Sequence, residues 1–95
     1  MNRLVRNLEA PEDAVVLNGT EALAASIDTI ILTAGELRDA TESDVVLDKL
    51  SDIMEMIQVQ LGAQNVDPVK FFEHASNRRA ELGTFQDKKS VQQEQ

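Results

Sequence analysis

Residues 41–62, TESDVVLDKLSDIMEMIQVQLG, decide how this chain folds. Val46, Leu50, Ile53, Met54, Ile57 and Leu61 recur at three- and four-residue intervals, the spacing of one face of an α-helix. Thr41 and Asp44 have the S/T-x-x-D/E form of a capping box, in which each side chain serves a backbone N–H left over at the helix start. Gly62 predicts the stop. At about 100° per residue, Val45, Met56 and Val59 fall away from the main stripe, so the helix is apolar on a second side. A helix apolar on two sides is buried on two sides.

The flanking segments are helical by the same criteria. Upstream, Thr20 is a suitable N-cap, and Glu21 suits the positive end of a helix dipole. Leu23, Ile27, Ile30, Ile31, Ala34 and Leu37 then mark one face to about Ala40, with Leu32 and Ala25 apolar elsewhere. Downstream, Asp67-Pro68 opens a third helix carrying Val69, Phe72, Ala75 and Leu82, and Gly83 ends it. Phe85 is expected to fold back onto the core. Residues 1–19 read as an irregular arm, and 87–95 as a disordered polar tail. The expectation is an all-α fold in a single domain, 1–86: a helical hairpin plus a third helix.

Three helices cannot easily bury two apolar sides, and a 95-residue chain with 3% aromatics and no cysteine has little else to stabilise it. The expected partner is therefore another copy. The hairpin completes a four-helix-type bundle as a homo-oligomer, with Val45, Met56 or Val59 in the interface.

The net charge is −8. Between Thr20 and Leu61 nine acids face only Arg38 and Lys49, so the chain repels a nucleic-acid backbone. No stretch has the length of a membrane span or a secretory signal, and a cytoplasmic protein without a membrane partner is expected. Two acids stand out. Asp52 shares the second side with Val45, Met56 and Val59, and Glu36 lies beside Leu32 and Thr29. A carboxylate among apolar neighbours is costly unless paired or bound to metal. One reading pairs Asp52 with Lys49, a turn away, or with a lysine or arginine elsewhere in the chain; the other places a divalent ion between facing helices.

Motif order adds a resemblance. Arg3-Leu4-Val5-Arg6-Asn7 is similar to K-L-V-R-D-K, Leu32-Thr33-Ala34-Gly35-Glu36 stands where E-E-x-x-E would, and Lys49-Leu50-Ser51-Asp52-Ile53 where E-L-A-D-hydrophobic would. Arg78-Arg79 and Gly83-Thr84-Phe85 fit a basic last helix and a G-x-F ending. In this order, over about residues 1–87, the chain resembles the all-α nucleoside triphosphate pyrophosphohydrolases, the MazG and phosphoribosyl-ATP pyrophosphohydrolase-like group.

The resemblance implies Mg²⁺ held by Glu36 and Asp52, a nucleotide ligand with Arg78 and Arg79 on its phosphates, and release of pyrophosphate. It also implies a degenerate site. Thr33 and Lys49 stand where two of four ligating carboxylates would be, so a weak or inactive enzyme is expected. The alternative is a non-catalytic helical module of the same fold that binds a nucleotide or a protein. A lone histidine, His74, and the absence of a Gly-rich phosphate loop leave other enzyme classes without support.

Overall fold

A computed structural model describes residues 1–93. A 3₁₀ turn, Asn7–Glu9, interrupts the arm; three helices follow, α1 (Gly19–Asp39), α2 (Ser43–Ala63) and α3 (Pro68–Leu82). The described residues are all-helical, with no strand. The last two residues of the expected disordered tail, Glu94 and Gln95, lie outside the described residues.

The helix ends differ from expectation in three places. Asn18, not Thr20, is the N-cap of α1, and Glu42, not Thr41, that of α2; neither makes a side-chain capping bond. The capping box is therefore not formed. Helix α2 passes Gly62 and ends at Ala63, and beyond it Asn65 takes the left-handed conformation at φ 57°. Val66 N–H donates to Leu61 O at 2.8 Å and Asn65 N–H to Gly62 O at 3.1 Å, the paired bonds of a Schellman stop with asparagine in glycine's usual place. Helix α3 is capped as expected, Asp67 Oδ1 accepting from Val69 N–H at 2.8 Å.

Helices α1 and α2 pack along each other, and α3 touches only α2, lightly. The side of α1 turned to α2 is the small, polar one. Ala25, Ser26, Thr29 and Thr33 are buried, and Ala25 is the only buried hydrophobic residue among those described. Small side chains let the helices approach closely, and the hydroxyls must then find partners in the seam. Ser26 Oγ donates to Leu23 O at 2.8 Å and Thr29 Oγ1 to Ala25 O at 2.7 Å. Gln60 of α2 reaches across, its amide donating to Leu23 O at 3.1 Å and to Ser26 Oγ.

This divides the expected apolar stripe. On α1 Leu23, Ile30 and Leu37 are half-buried beside the seam, whereas Ile27 and Ile31 turn outward, 47% and 56% exposed. On α2 the main stripe divides in the same way, Val46, Ile53 and Leu61 half-buried and Leu50, Met54 and Ile57 exposed; of the second side, Met56 and Val59 are half-buried where the arm crosses and Val45 is exposed. Phe85 does not fold back: it is fully solvated, and of α3 only Phe71 is half-buried. No helix is long and apolar enough to cross a membrane among the described residues.

A larger side chain in the seam tests its tightness. Ala25→Leu is expected to destabilise the protein by about 1–3 kcal/mol through overpacking, read as a lower urea midpoint, while Ala24→Leu on the exposed side should change it little.

Candidate functional site

The site is built where the arm crosses the hairpin. Leu4 N–H donates to Thr29 Oγ1 at 2.8 Å, which fixes the arm's height over α1. On either side of Leu4 an arginine reaches a carboxylate. Arg3 grips Glu36 through both terminal nitrogens, at 2.9 and 2.5 Å. Arg6 grips Asp52 Oδ1 through Nε at 3.0 Å and Nη2 at 2.7 Å, with Ser51 Oγ at 3.4 Å from the same nitrogen. Lys49 Nζ donates to Glu36 Oε1 at 3.1 Å. Three cations thus converge on two carboxylates contributed by two helices.

Glu36 and Asp52, singled out from the sequence, do come to one place, and Lys49 joins them. It pairs with Glu36 rather than with Asp52, its neighbour one turn away. The pairing is written into helix geometry: Lys49 and Asp52, three residues apart, share the edge of α2 that overlooks α1. The Glu36 carboxyl is held down to about 2 from an ordinary 4.5, first by the Arg3 hydrogen bond and then by that of Lys49. The guanidinium of Arg3 is raised in return, chiefly by Glu36, and that of Arg6 by Asp52.

Beneath these pairs lies a hollow of 490 Å³, its charged rim formed by Arg3, Arg6 and Lys49 together with Glu9, Asp52 and Glu55, and its apolar wall by Leu4, Met56 and Val59. Thr33 is on its floor, fully buried, and its Oγ1 is without a hydrogen-bond partner. A buried hydroxyl left unpaired is costly, and rare in native structures. The hollow therefore presents one ready polar contact, a rim of mixed charge in which three cations are matched by three carboxylates, and an apolar wall.

The donor set does not fit a resident divalent ion. Magnesium needs six oxygens in near-ideal octahedral geometry; here the two carboxylates are already held by arginines, and no group of three or more acids and histidines is clustered among the described residues. Arg78 and Arg79 are elsewhere, lining a separate hollow with Leu82, Gly83 and Phe85 at the end of α3. The residues that sequence reasoning left without a role at the site are Arg3 and Arg6. The signal was available as the two arginines of Arg3-Leu4-Val5-Arg6, with nothing to say that the arm folds over the hairpin. Comparison with known proteins finds no matching family model, no curated relative and no solved structure.

Two outcomes are expected. A carboxyl whose folded value is depressed stabilises the folded arm above its free value of 4.5 and loses that contribution as pH falls through the folded one. The Leu4 amide resonance should therefore hold steady down to about pH 4 and shift with a midpoint near 2. Thr33→Val removes the unpaired hydroxyl at constant shape and should raise stability by about 1 kcal/mol in a urea titration.

Proposed function

We propose that the chain is a helical nucleotide-binding protein of the pyrophosphohydrolase kind in which hydrolysis is weak or lost. The observation that supports this reading best is the position of Lys49, whose ammonium lies on Glu36 where the resemblance implies a second carboxylate. A fixed cation competes for the same carboxylate oxygens as Mg²⁺ and repels it. Arg3 and Arg6 add to that competition. The phosphate contacts fall to Arg3, Arg6 and Lys49 rather than to Arg78 and Arg79, because only the first three border the hollow.

In this reading the nucleotide's phosphates draw the arginines off their carboxylates, since a planar guanidinium binds phosphate and carboxylate with the same bidentate geometry. The unpaired Thr33 hydroxyl takes one oxygen or base edge, and Leu4, Met56 and Val59 cover an apolar part of the ligand. Mg²⁺ enters only as the counter-ion of a triphosphate, opposite Glu36 and Asp52. A cytoplasmic setting goes with such a ligand.

A calorimetric screen of nucleoside triphosphates with and without Mg²⁺, paired with a pyrophosphate assay, tests the proposal. The expected result is binding without brisk pyrophosphate release. Arg3→Gln and Arg6→Gln should each weaken binding several-fold, and Lys49→Glu should raise Mg²⁺ affinity. Brisk release abolished by Glu36→Gln would overturn the weak-site reading, and failure of every nucleotide to bind would overturn the ligand class.

A further inference from the structure

The arm lies on the hairpin as a bound peptide lies on its receptor, and its contacts describe what the hairpin recognises. We infer that this edge of the α1–α2 hairpin is a docking site for an extended basic segment of another protein, of the form Arg-apolar-x-Arg, for which residues 3–6 are the placeholder. Nothing in this depends on a nucleotide: an anion takes the arginines of each ion pair, whereas a basic segment takes the carboxylates.

Three contacts define the form. Arg3 meets Glu36 through two nitrogens, and Arg6 meets Asp52 through Nε and Nη2. A lysine ammonium cannot reproduce such forked contacts. Between the arginines, Leu4 N–H donates to Thr29 Oγ1 at 2.8 Å, a backbone contact that any residue except proline supplies. Leu4 is half-buried and lines the hollow with Met56 and Val59, so the position after the first arginine is read as apolar.

The charge left on the hairpin calls for such a partner. Without the arm, its side of the site holds Lys49 against Glu36, Asp52 and Glu55, a net of two negative charges. Two arginines balance that, and an acidic segment would add to it.

The arm itself fits imperfectly. Thr33 Oγ1 is fully buried, lines the hollow and has no partner, whereas Thr29, one turn earlier on the same side of α1, is bonded to the arm. Four residues of helix rise about 6 Å, and an extended segment repeats its like-facing amides about every 6.6 Å. A backbone in better register therefore serves both threonines where the arm serves one. Glu9 is the second misfit. It lines the hollow together with Asp52 and Glu55, and so returns a negative charge to a rim that the arginines have neutralised. A free segment with a basic residue at that point escapes the repulsion.

The arm is also easily released. Arg3, Arg6 and their carboxylates are a third to a half exposed, and pairs so exposed contribute little individually. Leu8, Val15 and Val16 are solvated, so their side chains do not hold the arm down at its root.

Calorimetric titration of the full chain with three capped synthetic peptides tests the inference: RLVRNLE, which is the sequence of residues 3–9, RLVRNLK and KLVKNLK. RLVRNLK should bind the wild type several-fold more tightly than RLVRNLE, and KLVKNLK several-fold more weakly than RLVRNLK. In the full-length Arg3→Gln/Arg6→Gln variant both arginine peptides should gain about tenfold, the factor for an arm that occupies the site about nine-tenths of the time. Glu36→Gln with Asp52→Asn should abolish binding. Displacement has its own signature, because RLVRNLK added to the wild type should move the Leu4 amide resonance to its position in the Arg3→Gln/Arg6→Gln variant. No binding to that variant at millimolar peptide, equal affinity for KLVKNLK, or binding that survives Glu36→Gln/Asp52→Asn would overturn the inference. So would a doubled wild-type mass in light scattering that falls to one copy in Arg3→Gln/Arg6→Gln, since the occupant would then be the arm of a second copy. The lysine comparison alters only the peptide and decides the matter even where a carboxylate variant fails to fold. Every nucleotide could fail to bind and leave these outcomes as they are.

Discussion

The fully buried part of the seam between α1 and α2 is small and mostly polar, Ala25, Ser26, Thr29 and Thr33, and the remaining architecture depends on that. Side chains of this size supply little hydrophobic free energy. Hydrogen bonds specify the pairing instead, above all the Gln60 amide on Leu23 O and Ser26 Oγ. A buried amide resists a slip in register, since a shift of one turn would take the Gln60 amide from both of its acceptors. The contact leaves part of the aliphatic stripes outside it, Ile27 and Ile31 on one helix and Leu50 and Met54 on the other.

The polar edges of the same seam create the charged cluster. Glu36 and Asp52 stand where the two helices meet the arm, and each is ordinary as a solvated surface acid. Together, within reach of Arg3, Arg6 and Lys49, they form a small ionic network whose members are a quarter to a half exposed. Isolated surface pairs contribute little to stability. Here two arginines are three residues apart on one strand of chain, with the Leu4 amide bonded between them, so that each contact holds the next in place.

Much of this was legible in the sequence, and the limits have physical reasons. The three helices and the Asp67-Pro68 start follow from periodicity and capping chemistry, whereas the spacing of α2 pairs Lys49 with Asp52 and the structure pairs it with Glu36. The direction in which α1 faces does not follow from them. Periodicity identifies apolar sides but not which of two is filled by the chain itself, and the larger side chains were the natural choice for a core. A seam of threonine and serine gives no hydrophobic signal at all, because its specificity lies in bonds to backbone carbonyls. The stop of α2 differs for a similar reason: Gly62 lies inside the helix, which ends at Ala63, and Asn65, tolerant of positive φ, makes the turn that stops it. The arm was the least legible element. Its anchoring joins residues 33 and 46 positions apart, and no local pattern encodes that.

Between the anchored residues and α1 the chain packs against almost nothing. Leu8 is fully solvated, Val15 and Val16 nearly so, and only Leu17 is half-buried before the helix begins. The arm is thus a short adhesive segment on a solvated tether, and its physics is that of an intramolecular ligand. Released from the hairpin, Arg3 and Arg6 cannot diffuse away; a tether of this kind maintains an effective concentration in the millimolar range around the carboxylates. Any free cation or anion that occupies the site must therefore outcompete a permanently present rival. The strength of that rival depends on tether length only logarithmically, about 0.6 kcal/mol for each doubling. Inserted residues between Ala10 and Leu17 would tune occupancy gently, whereas severing the chain there would convert a standing competitor into a dilute peptide.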